Sequence, residues 1–154
     1  LPTQPNNLYL LLLDRGSIST FHWTLYLATS PTHGTIFLIN GPGSSVWEFE
    51  SKTNEEATRA GRLLVALELG HVDPALHAAL ADCLARIPIE YSARFREAMT
   101  CRVWIKEALF ALDDEGYVLL GSSVEGVEEN ARNRAMRNRV HGRVTVCRLD
   151  DGGF

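Results

Sequence analysis

The order of apolar and polar positions divides the chain into a strand-rich first part and a helix-rich second part. Residues 8–13, "LYLLLL", form an unbroken apolar run that ends at the turn signal Asp14-Arg15-Gly16 and predicts a strand. Phe21 to Ala28, "FHWTLYLA", is rich in aromatic and β-branched residues and predicts a second strand. "TSPTHG" predicts a turn, and "TIFLIN" a short strand stopped by "NGPG". Val46 to Ser51, "VWEFES", alternates apolar and polar positions, the pattern of a half-buried strand. These segments together predict an antiparallel meander. "RLLVALELGHV" fits either kind of element; we read it as a strand that closes the sheet.

Helical spacing takes over from Asp73-Pro74, a sound start with Asp as cap and Pro at the first helical position. Leu76, Ala79, Leu80, Cys83, Leu84 and Ile87 then recur on one face until Pro88. A polar loop leads to "MTCRVWIKEALFAL", where Thr100 is the expected cap and Cys101 lies in the first turn. Gly116 is the expected stop for that helix. Ser122 to Glu125 fits a capping box, and the helix after it carries glutamates early and arginines late, matching the macrodipole. "GRVTVCRL" predicts a terminal strand. The expected architecture is α+β: an antiparallel sheet meander packed against the helix that bears Cys101. One domain is expected over residues 1–154, with residues 1–7 a frayed lead-in.

Composition narrows the function. The chain has 154 residues, 45% hydrophobic and 22% charged, enough for a core without metals or disulfides. A net charge of −4 gives no global electrostatic reason to expect a nucleic-acid partner. The arginine-rich stretch 132–143 follows three glutamates and has no interleaved aromatic residues, so it reads as a solvated helix face. No apolar run is long enough to span a membrane. Cys83, Cys101 and Cys147 are widely spaced, with no CxxC pair, and no histidine pair has metal-ligand spacing. Neither metal nor cofactor is expected. A reducing, cytoplasmic setting is the simplest reading of the cysteines.

Two side chains draw attention as chemistry. Cys101 in a helix's first turn lies where unpaired N–H groups and the dipole stabilise an anion. The same residue also heads an apolar stripe with Trp104, Ile105, Ala108, Leu109 and Leu112, where it would be a small hydrophobe. His22 stands between Phe21 and Trp23 in an aromatic strand, where a polar ring needs a partner.

The motifs "HWTLYL" and "CRVWIKEAL", with "LVALELGHVD" between them, resemble the circularly permuted papain-like NlpC/P60 proteins. That branch includes lecithin:retinol acyltransferase-like and PPPDE-type members, and the likeness is nearest to small fungal proteins of this style. The resemblance implies a permuted papain-like fold with Cys101 as nucleophile and His22 as base. The polar residue that orients the base in such proteins would fall near Leu38; Asn40, on the same strand face, is a candidate for that role, and Glu48 and Glu50 on the next strand are further candidates. Trp23, Trp104 and Arg102 would bind substrate. The implied function is a cysteine hydrolase or acyltransferase acting on a small acyl, amide or thioester substrate, with a fungal biosynthetic pathway as one setting for it. The alternative is a non-covalent small-molecule binding protein, or a cyclase or isomerase, on the same scaffold without a working cysteine.

Overall fold

A computed structural model describes residues 3–16, 20–41, 46–56 and 62–149. Strands β1 (Asn7–Asp14), β2 (Phe21–Ala28), β3 (Gly34–Asn40) and β4 (Glu48–Glu55) form the expected meander. β5 (Leu63–His71) follows, then helices α1 (His77–Ala85), α2 (Cys101–Asp114) and α3 (Val124–His141), and finally β6 (Thr145–Arg148). The strand order is β4-β3-β2-β1-β5-β6, antiparallel throughout except that β6 runs parallel to β5. The fold is therefore α+β with a mostly antiparallel six-stranded sheet.

β5 pairs with β1 inside the sheet and does not close it. A parallel neighbour for β5 requires a long crossover, and the three helices supply it. They pack on one face of the sheet. The core there joins Leu10 and Leu12 of β1, Trp23 and Leu25 of β2, and Phe37 and Ile39 of β3 to Trp104, Leu109, Val127 and Ala131 of the helices. A smaller cluster occupies the other face: Tyr9, Leu11, Tyr26, Ala28, Leu63 and Ala66, with Leu13, Ile36 and Val146 against it. No described helical residue belongs to that second cluster. β1 contributes to both, which is why its sequence is an apolar run rather than an alternation.

Several local expectations change. Residues 3–7 are not frayed. Thr3 is 3% exposed, its N–H donates to the Pro31 carbonyl at 3.0 Å, and Asn6 N–H donates to Ala28 O at 2.7 Å. β4 starts at Glu48 and runs to Glu55, longer and more polar than the alternation implied, because it is a sheet edge. Asp73 caps as expected, accepting from Ala75 N–H, but Pro74–Leu76 is a 3-10 turn and the α-helix proper begins at His77. The capping box at Ser122 is not made: Ser123 is the cap, and it accepts from Gly126 N–H. The face of α3 is not wholly solvated either. Asn138, 2% exposed, donates to the Leu64 carbonyl at 2.8 Å and so fastens α3 to β5.

Candidate functional site

Strand alternation decides which side chains can meet. On β2, Trp23 and Leu25 enter the helix-side core, so His22, Thr24 and Tyr26 point to the opposite, helix-free face. Cys101 belongs to the helix-side core. The sheet thus separates His22 from Cys101, and the expected dyad is not assembled.

Thr100 caps α2 as expected, its hydroxyl accepting from Val103 N–H at 3.2 Å. Cys101 heads that helix but is 4% exposed, and its thiol makes no hydrogen bond among the described residues. It is a small apolar member of the core. Asn40 does not orient His22: it is exposed and donates to Glu50 Oε1 at 3.4 Å. Trp23 and Trp104, 3% and 0% exposed, are core residues, not pocket walls. Trp104 packs on Phe49 with ring centroids 5.8 Å apart.

Arg102 is also structural. It donates to both Glu97 and Glu128, while Lys106 reaches the same two carboxylates at 3.0 and 3.4 Å. Glu107 accepts from Ser92 and Arg94, and the Arg94 guanidinium lies 3.6 Å from the Phe110 ring centroid. The polar positions of "CRVWIKEAL" therefore hold the loop before α2 against α2 and α3. The Arg102 guanidinium, by hydrogen bonding to Glu97, keeps that carboxyl below its ordinary range.

A pocket of about 580 Å³ opens on the helix-free face. Its apolar lining is Leu11, Leu13, Ile36 and Leu38; its polar lining includes His22, Thr24, Lys52 and Asn54, with Glu55 and Glu56 at one end. The ladder accounts for its position. β2 pairs with β3 only over residues 25–28 against 34–37, whereas β3 continues to pair with β4 as far as Asn40. β2 and β3 therefore part beyond Leu25, and His22 and Thr24 stand at the fork.

Two features of this pocket are unusual for a surface depression. Thr24 is 3% exposed, yet its hydroxyl has no hydrogen-bond partner among the described residues. A buried hydroxyl without a partner costs free energy unless something else satisfies it. His22 is half-buried and makes no hydrogen bond among the described residues either. Burial lowers its pKa, and the charges of Arg15 and Lys52 lower it further. The imidazole is therefore neutral at pH 7, able to donate from one nitrogen and accept at the other. At the far end Glu56 is engaged by His33 at 3.1 Å, and the Glu55 carbonyl accepts from the Tyr26 hydroxyl at 3.3 Å.

Sequence reasoning found His22 but missed Thr24 and Lys52. The signal for Thr24 was available: it shares the parity of His22 on a strand whose other positions are Phe21, Trp23 and Leu25. Of the "NGPGSS" stretch that ends β3, residues 42–45 lie outside the described residues. Among the described residues no group of three or more His, Cys, Asp or Glu side chains is placed to hold a metal ion, and no helix is long and apolar enough to cross a membrane.

The fold and the pocket define an α+β protein with a helix-covered sheet face and a second face that carries a half-polar cavity. The chain belongs to a family of unknown function, DUF6540, whose model matches residues 8–119. That span includes every residue of the pocket. No curated protein and no solved structure matches the chain.

Proposed function

We propose that the protein binds a small molecule non-covalently in the pocket at the β2–β3 fork. The buried, unpartnered Thr24 hydroxyl carries this reading. A volume of about 580 Å³ is in the range of small-ligand sites, and the mixture of apolar floor and few polar groups is their usual composition. His22 is a pocket group whose ordinary pKa lies near neutrality, which supports an isomerase or cyclase step at the site; the placing of Cys101 across the sheet weighs against a covalent cysteine step. Cys101 at the head of α2 is the feature that still supports kinship with permuted papain-like proteins; the face that His22 occupies is a departure from their arrangement. Three widely spaced cysteines with no CxxC pair support a reducing, cytoplasmic setting.

The test is amide chemical-shift mapping against a library of small hydroxy, keto and carboxy compounds, run beside alkylation of Cys101 at a series of pH values. Shifts gathered at residues 11, 13, 22, 24, 36 and 38, with slow alkylation indifferent to His22→Ala, are expected. Shifts absent from those residues, or a fast Cys101 reaction lost in His22→Ala, would overturn the reading.

A further inference from the structure

The charged groups that act on His22 have one sign. Lys52 lines the pocket on β4, and Arg15 follows the end of β1; these two are the charges that bear on His22. The acidic residues of the lining stand at the other end, next to His33 and Gly34: Glu56 faces His33, and Glu55 pairs with Gly34. Glu50, half-buried on the same strand, pairs with the exposed Lys52 ammonium at 3.8 Å, a long contact that leaves the ammonium able to take a second anion. Lys52 thus lines the same cavity as the His22 imidazole, on which its charge acts, and as a hydroxyl that has no partner among the described residues. Leu11, Leu13, Ile36 and Leu38 provide an apolar bed beside them.

Resting on the pocket reading above, we infer that the ligand is a monocarboxylate on an apolar carbon skeleton, its carboxylate held by Thr24, His22 and Lys52. A carboxylate accepts only, so it can use the Thr24 O–H, a His22 N–H and the Lys52 ammonium together. Hydrogen bonds to an ionised acceptor are about twice as strong as neutral ones, which favours the acid over its alcohol. Binding is proton-linked. The bound anion opposes Arg15 and Lys52 and raises the affinity of His22 for a proton, so His22 takes one up on binding. Carboxylate affinity therefore rises as pH falls toward the ordinary histidine range, whereas an alcohol lacks this dependence.

Octanoate and 1-octanol are the probes, titrated into the full chain and followed by calorimetry and amide shifts. Octanoate is expected to bind at residues 22 and 24 about tenfold more tightly than octanol at pH 6.5, given the strength of charge-assisted bonds. Its affinity should weaken as the pH is raised to about 8, and His22→Gln should flatten that profile without unfolding the chain. Lys52→Met, an exposed position, should remove most of the preference for the acid. Equal binding of the two probes at the same residues would overturn the carboxylate inference and leave the pocket reading standing. Octanoate that shifts no pocket residue would also overturn it, and the pocket reading would then be judged by the wider library. Binding of both probes elsewhere would overturn the carboxylate inference, and the pocket reading would fall with it only if no member of the wider library shifted residues 22 and 24.

Discussion

His22 and Trp23 are adjacent in sequence and lie on opposite faces of the sheet. Trp23 shares the helix-side core with Cys101, while His22 lines a cavity with Leu11, Leu13 and Thr24. A one-residue step along a strand exchanges faces, and here that step puts His22 across the sheet from Cys101.

Thr24→Val tests the hydroxyl directly. Valine matches the shape and removes the unsatisfied group, so unfolding by urea should show stability unchanged or raised by up to about 1 kcal/mol. Ligand affinity should fall in the same variant. A clear loss of stability would mean that the hydroxyl is satisfied within the folded chain.

His22 makes stability depend on pH. Its folded pKa is lowered from 6.5, chiefly by burial. The unfolded chain therefore takes up the proton first as the pH falls. The contribution is complete above the ordinary value and is lost as the pH drops through the lowered one. Urea midpoints of the wild type should decline between about pH 7 and 5 more than those of His22→Gln. Parallel curves would show that His22 titrates normally.

The three thiols should react in a fixed order. Cys147 is half-buried, whereas Cys83 and Cys101 are 3% and 4% exposed. Burial and the nearby Glu115 carboxylate, which accepts from the Cys83 thiol at 3.1 Å, push the Cys83 pKa to about 11. With a chromogenic disulfide at pH 8, one thiol should react quickly and two only on unfolding. Mass mapping that found Cys101 labelled first would contradict the buried assignment.

Arg102→Met should destabilise the chain by about 1–3 kcal/mol, since it strips hydrogen bonds from Glu97 and Glu128. Glu97 adds a pH signature. Its lowered pKa stabilises the fold above 4.5, and this is lost as pH falls through the folded value. Glu97→Gln should therefore lose most of its difference from wild type in acid. A constant difference down to low pH would assign its effect to packing instead.

Gly34→Ala tests the edge of the pocket. A Cβ there would meet Leu27 O at 2.3 Å and the Tyr26 ring at 2.8 Å. The β2 backbone at Leu27 must shift, and the tyrosine ring, whose hydroxyl bonds the Glu55 carbonyl, with it. A cost of about 1–3 kcal/mol in thermal or urea unfolding is expected, as for other overpacked sites.

Much of the fold was legible because its signals are local. β2 has the bounds that its aromatic and β-branched run implies, and Thr100 caps α2 as its side chain suggests. The parallel placing of β6 and the interior position of β5 depend on crossovers that no local pattern records. The site was misread for a related reason. Cys101 and His22 each carry a plausible chemistry, but their meeting depends on the sheet's two faces, and parity along "FHWTL" places the histidine with Thr24. Arg102 looked like a ligand-binding group because its partners, Glu97 and Glu128, lie in a loop and on another helix.

The short parallel strand β6 has a consequence for self-association. β5 is almost wholly apolar, and without β6 it would present a row of unpaired backbone groups beside those side chains. Such a border invites another chain to add to the sheet. The opposite border, β4, carries Glu48, Glu50, Lys52 and Glu55, and its charges repel such additions without a covering strand. The four residues of β6 thus occupy the backbone groups of Val65 to Glu68, which would otherwise border the sheet.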